Sequence, residues 1–312
     1  MTMGPAPYRP AGGVFPLAGR DVPRVGYGLG QLARQTAADG DGRADALGLL
    51  RRAFGLGIRH FDTAQFYGNG LANQLLAEAF RDVRDEVVFA TKAGARAVPG
   101  APVPLTAAQQ PHELREAVEA NLTSLATDRL DVVNLRRMDF RPGLLAEGDQ
   151  VVPLEDQVAE LVGLRDEGKI IAIGLSHVTL EQFLVARPAG IACVQNVYNL
   201  LDRSFEPLLD ACRASDVAWV PYFPLGGGGA YAGLPKVTDD PVVMAAAGEL
   251  DVTATQVGLA WQLAHAPNTM LIPGTGSIRH LIENTAAAEL ALDEDVMKRL
   301  DARAEAEVST PP

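Results

Sequence analysis

Alternation is the strongest constraint in this sequence. Short apolar runs at 25–29, 58–61, 87–91, 131–135, 169–174, 192–196, 217–221 and 269–272 read as strands. Helical spacing fills the gaps, at 44–55, 71–81, 112–125, 154–167, 179–187, 205–214, 240–249, 254–264 and 278–288. Thr179, with Gln182 three residues on, and Ser277 are helix-start residues. Eight βα units within 312 residues predict an α/β chain folded as a closed (β/α)8 TIM barrel rather than an open sheet. A short hairpin at 13–24 precedes it, and an extra helix is expected between Glu289 and Arg303. The whole of 1–312 is expected to be one domain, with 1–12 and 305–312 flexible. The Gly-x-Gly-x-Gly of Val25–Gly30 is a weak signal, because Arg34 to Arg43 reads as a polar loop and not as the helix a dinucleotide fingerprint needs.

Bulk properties narrow the partners. A formal charge of −12 argues against nucleic acid or an anionic membrane surface. No apolar run is long enough to span a membrane, and prolines stand where Met1–Pro10 would need a signal peptide's apolar core. Cys193 and Cys212 make no disulfide framework, and Cys193 lies in an apolar run that should bury it. A cytoplasmic location is expected. The sequence is silent on oligomeric state.

A barrel places its chemistry where strands end. Those ends read Leu29, Asp62, Lys92, Arg136, Ser176-His177, Gln195-Asn196, Tyr222 and Pro273-Gly274. Polar groups at the same end of most strands are hard to attribute to packing, so one site at the barrel mouth is expected. An acid closing a buried strand is costly unless paired. Lys92 is the partner expected for Asp62, with Tyr67 nearby on the glycine-punctuated loop. A cation beside a phenol favours phenolate and makes a tyrosine a usable proton donor. The same residues also read as a structural salt bridge and a core tyrosine.

The segment Ile272–Asn284 is a glycine-rich turn entering a helix, whose free N–H groups and dipole favour a phosphate. Ser277 can cap that helix. Arg279 and His280 in its first turn oppose the dipole unless an anion offsets them, which fits a ribose 2′-phosphate and hence NADP(H). The Gly226–Gly229 run reads either as a cover for a pyrophosphate or as a surface loop. No spacing suggests a metal site. His60, His112 and His265 are expected to be solvated or capped. Neither a Tyr-x-x-x-Lys pair nor a Gly-x-Ser-x-Gly elbow occurs, so nucleophilic hydrolysis is not expected.

The stretch Gly57-x-Arg59-x-Phe61-Asp62-Thr63-Ala64-x-x-Tyr67-Gly68 resembles the signature of the aldo-keto reductase superfamily. That resemblance implies that Asp62, Tyr67 and Lys92 are three of four catalytic residues. Gly174-Leu175-Ser176-His177 is similar to the family segment whose Ser and Asn hold the nicotinamide carboxamide; His177 stands at the Asn place, so only Ser176 transfers cleanly. Gln195 would bind the same group, and Tyr222 would stack on the nicotinamide ring. Further cofactor contacts implied are Gly28, Leu29, Asp62, Phe223, Leu225, Gly227, Gly274, Thr275, Ser277, Arg279 and His280, with Glu283 and Asn284 facing the adenine.

The fourth catalytic position departs from the family. Its usual His is replaced in Asn134-Leu135-Arg136-Arg137, where alternation puts Asn134 and Arg136 on one face. Arg136 takes that place, as in a subset similar to bacterial pyridoxal reductases. A guanidinium carries a fixed charge and five donors, and it can stabilise a developing alkoxide or bind a phenolic oxygen. The alternative is that Arg136 is paired with Asp139 or another acid and is merely structural. The resemblance implies NADPH-dependent reduction of an aldehyde or ketone, pyridoxal-like or a biosynthetic ketone, with Tyr67 as proton donor. The substrate pocket is expected from loops at 31–43, 94–110, 137–153 and 223–239. The alternative is an NADP(H)-binding regulatory protein with little turnover.

Overall fold

The computed structural model describes residues 12–38, 42–98, 105–141, 143–228 and 233–303. Strands β1 (Val14–Leu17) and β2 (Arg20–Pro23) pair as an antiparallel hairpin. Then follow β3 (Tyr27–Gly28), α1 (Gly30–Ala38), α2 (Arg43–Gly55), β4 (His60–Asp62), α3 (Leu71–Ala79) and β5 (Val88–Ala93). A second hairpin, β6 (Ala95–Ala97) with β7 (Leu105–Ala107), precedes α4 (Pro111–Leu125) and β8 (Leu130–Arg136). The chain continues through α5 (Leu154–Asp166), β9 (Ile170–Ser176), α6 (Leu180–Ala186), β10 (Ile191–Gln195), α7 (Glu206–Arg213) and β11 (Ala218–Trp219). It ends in α8 (Pro241–Leu250), α9 (Ala254–His265), α10 (Ile278–Ala286) and α11 (Glu294–Asp301).

Seven strands form one parallel sheet in the order β11-β10-β9-β8-β5-β4-β3. The segment at 269–271 closes it. It makes parallel bridges from Thr269 to Trp219 on one side and from Leu271 to Val25 on the other. The hydrogen bonds are those of a ladder: Met270 N–H to the Trp219 carbonyl at 2.8 Å, and Gly26 N–H to the Leu271 carbonyl at 2.7 Å. The (β/α)8 expectation is met, with the eighth strand reduced to these contacts.

Two apolar layers hold the barrel. The outer layer packs the helices on the sheet, through residues such as Leu50, Leu75, Leu114, Leu161, Phe183 and Leu209. A second cluster sits where the strands begin: Leu17 and Val22 of the hairpin meet Val88, Ala90, Val132, Ala172 and Val220. The hairpin therefore plugs one end with apolar side chains, and polar groups are left to the other end.

Two local expectations fail. The segment expected as a polar loop from Arg34 is helical to Ala38, because Leu32 and Ala33 bury against the core and Thr36 Oγ1 bonds back to the Leu32 carbonyl at 2.9 Å. The region 94–110 is not only loop, since it contains β6 and β7. The ends expected to be flexible lie outside the described residues, apart from Gly12.

Candidate active site

Strand register builds a ring at the mouth. Gly28 pairs with Asp62, Arg136 with Ser176, and Ser176 with Gln195, while Val197 bridges to Tyr222. Asp62 lies 2.6 Å from the Lys92 ammonium, and both are almost fully buried. Lys92 Nζ also donates to the Thr63 carbonyl at 3.0 Å. Gln195 Nε2 reaches across the barrel to the other Asp62 oxygen at 2.7 Å. That bond joins β10 to β4, which are not neighbours in the sheet, so both side chains point into the barrel.

Tyr67 completes the cluster. The Lys92 ammonium lies 5.2 Å from its ring centroid. Burial works against the Lys92 charge, but Asp62 and Tyr67 together outweigh it and hold the ammonium above its ordinary pKa. Gly30 leaves room for the phenol: a Cβ there would stand 3.4 Å from Tyr67 Cζ.

Arg136 and Arg137 divide two jobs. Arg137, not Arg136, pairs with Asp139, at 2.7 and 2.9 Å, and also binds the Gln157 and Val152 oxygens. Arg136 shares its sheet face with Asn134, which turns inward to accept the Cys193 S–H at 3.2 Å. Gly174 between them is obligatory, because a Cβ would fall 2.0 Å from Asn134 Oδ1. Burial pushes the Cys193 thiol up to about 12, so it serves as a small donor and not as a nucleophile. The Arg136 carbonyl is fixed by Gln109 Nε2 at 2.8 Å.

His177 is buried with a φ of +60°. Its Nδ1 meets the Tyr222 hydroxyl and its Nε2 the Phe140 carbonyl, each at 2.9 Å. Both nitrogens are engaged within the protein. Ser176 Oγ and Gln195 Oε1, by contrast, are buried at the mouth with no hydrogen-bond partner. An amide-bearing ring laid there would supply the missing donor and acceptor, so the residues fit a nicotinamide.

At the turn into α10, Tyr27 donates to the Thr275 carbonyl, and Thr275 Oγ1 accepts the Ser277 N–H at 3.0 Å. Ser277 caps the helix. A Cβ on Gly274 would stand 2.5 Å from the Gly28 carbonyl, so these two backbones press together. Arg279 is exposed, 3.3 Å from Glu283 and 2.9 Å from His280. Asn284 is buried in the same helix. Gln35 of α1 lies against this turn, its Oε1 1.8 Å from where a Gly276 Cβ would be. Sequence reasoning missed Gln35 because it treated that stretch as loop.

Leu29 and Leu225 do not join the polar ring. Leu29 is core, and Leu225 packs on α9 beside Gly258. Phe223 adopts a φ of +53° and its ring lies edge-on to Tyr222 at 5.5 Å. The glycine-rich run is laced rather than open: Gly227 and Leu234 exchange two backbone bonds, and a Gly226 Cβ would collide with the Pro235 carbonyl. Gly229 lies outside the described residues.

His60 corrects another expectation. It is buried below Asp62 with neither ring nitrogen bonded, and burial pushes its pKa down to about 4. His265 is paired with Glu206 at 2.7 Å. Among the described residues no group of three potential metal ligands forms, and no helix is long and apolar enough to cross a membrane.

Comparison with known proteins agrees with this geometry. The Aldo/keto reductase family matches residues 24–305. Pyridoxine 4-dehydrogenase of Escherichia coli is 41% identical over 92% of this chain and 96% of its own. An uncharacterized oxidoreductase of Schizosaccharomyces pombe is 31% identical over 92% of this chain and 88% of its own. An aldo-keto reductase from Klebsiella pneumoniae, solved in complex with NADPH, superposes with a TM-score of 0.74 at 26% identity, covering 96% of this chain and 95% of its own. With the family matched along nearly its whole length and an inward-facing Asp62–Lys92–Tyr67 cluster at the barrel mouth, the chain belongs to the aldo/keto reductase family.

Proposed function

We propose that this single barrel domain is an NADPH-dependent carbonyl reductase acting on a pyridoxal-like aldehyde. NADP(H) is the cofactor, and when bound it supplies the hydride that passes from its nicotinamide to the carbonyl carbon. Tyr67 gives its phenolic proton to the carbonyl oxygen, which leaves an alcohol. Lys92, beside the phenol, stabilises the phenolate that remains. Asp62 keeps Lys92 charged and in place, and Gln195 keeps Asp62 in place. Ser176 and Gln195 hold the carboxamide, Tyr222 backs the ring, and Ser277, Arg279 and His280 take the 2′-phosphate. Arg136 binds the substrate oxygen. In a pyridoxal-like substrate a phenolic oxygen neighbours the aldehyde, and a guanidinium can span both through its fork of donors. The similarity to pyridoxine 4-dehydrogenase supports this substrate class.

The observation that carries the reading is the buried ammonium 2.6 Å from Asp62 and 5.2 Å from the centroid of the Tyr67 ring. Nothing in packing alone requires a phenol there. The test is loss of NADPH absorbance with pyridoxal and a panel of other aldehydes and ketones. Tyr67→Phe is expected to lower kcat by about 100-fold or more while NADPH still binds. Unchanged turnover in that variant would remove Tyr67 from the proton-donor role.

A further inference from the structure

His177 joins two loops that reach the mouth from different strands. Its Nε2 faces the Phe140 carbonyl, after β8, and its Nδ1 faces the Tyr222 hydroxyl, after β11, both at 2.9 Å. A carbonyl can only accept, so Nε2 carries the hydrogen and Nδ1 accepts the Tyr222 O–H. The imidazole also stacks on the Phe140 ring, with centroids 3.9 Å apart and planes 20° from parallel. Its backbone is in the left-handed region at φ +60°, which a non-glycine residue adopts only when its surroundings hold it. The Phe140 segment is itself anchored, because Asp139 holds Arg137 and accepts from Gln182 Nε2 at 2.5 Å.

We infer that His177 is a positioning residue that fixes the Tyr222 ring and the Phe140 loop as one unit, and so governs how a carbonyl substrate fits at the mouth beside Arg136, whose register partner is the neighbouring Ser176. The inference rests on the reductase reading given above. It makes His177 a determinant of substrate fit and not a cofactor ligand. The single imidazole couples the cofactor-side aromatic to the substrate side. Removing either end of the clamp therefore releases the same constraint.

The experiment is a double-mutant cycle with His177→Asn and Tyr222→Phe in the full chain. Asn is chosen because it tolerates the left-handed backbone. Each single variant is expected to raise KM for pyridoxal about tenfold, with NADPH affinity nearly unchanged, and the double variant to be no worse than the weaker single. Independent, multiplying losses overturn the clamp, as does a His177→Asn variant that loses NADPH affinity instead of pyridoxal affinity. A second readout needs no turnover: in ¹⁵N-histidine-labelled protein, Tyr222→Phe should shift the His177 Nδ1 resonance. An indifferent resonance defeats the clamp even in an active enzyme. An enzyme inert toward the whole carbonyl panel, but with the shift present, defeats the reductase reading and leaves the clamp standing.

Discussion

Lys92 is an ammonium almost without solvent, tolerated because Asp62, the Thr63 carbonyl and Tyr67 replace water around it. Such a pair is weak evidence of net stabilisation, but losing one member strands the other. Lys92→Met should therefore lose about 3–5 kcal/mol in urea unfolding, because Asp62 stays buried and uncompensated. Asp62→Asn added to Lys92→Met should return most of that stability and none of the turnover. A double variant as unstable as the single would mean that the pair is not what holds this end of the barrel. This pair was legible in the sequence, because an acid and a lysine at consecutive strand ends have few other reasons to be there. The His177–Phe140 clasp was not. It depends on a backbone turn at φ +60° and on a loop carbonyl, neither of which leaves a trace in residue type. The low pKa of His60 was hidden in the same way, since the face of a three-residue strand is settled only by its neighbours.

At the scale of elements, the loop after β4 owes its shape to α3. Asn73 in α3 accepts the Thr63 hydroxyl at 2.7 Å and donates to Gln65 at 2.9 Å and Asn121 at 2.8 Å. Thr91 on β5 donates to the same Asn121 oxygen at 2.6 Å. A buried network of this kind is worth most when complete, and a gap leaves polar groups without water or partner. Asn73→Ala should cost about 1–3 kcal/mol for each group stranded, read as a fall in melting temperature. Because Thr63 also receives Lys92, kcat should fall with it while NADPH affinity holds. An unchanged melt would show that the network relaxes around the gap. The helices themselves were readable from spacing, with boundaries within a few residues. The exception is α1, whose Gln35 and Thr36 carry no helical stripe. It is set by two buried residues, Leu32 and Ala33, and by contact with the turn at Gly276.

For the whole molecule, closure is the delicate step. Seven strands pair through ladders, but the last contact rests on bridges at Trp219–Thr269 and Val25–Leu271. The eighth run was visible as an apolar stretch. Its weakness as a strand was not, since pairing length is decided by the neighbours it meets. The helices outside must then hold the closing segment in place. Trp261 of α9 donates its indole N–H to Asp301 of α11 at 2.9 Å, and Arg203 stacks on that indole at 4.4 Å while reaching Asp301 at 3.4 Å. His265 pairs with Glu206, which accepts the Tyr198 hydroxyl at 2.5 Å. The final helix is thereby tied to the segment after β10 that frames the mouth. Asp301→Ala leaves a fully buried indole N–H without its acceptor, so it should cost about 1–3 kcal/mol in chemical unfolding. Glu294→Ala removes an ion pair of similar length, 2.7 Å to Lys298, from the same helix, but between exposed side chains. There water replaces each partner, and the loss should be at most about 0.5 kcal/mol. Equal losses in the two variants would mean that α11 is held by its apolar face, through Val296 and Leu300, and that the Asp301 contacts only follow it.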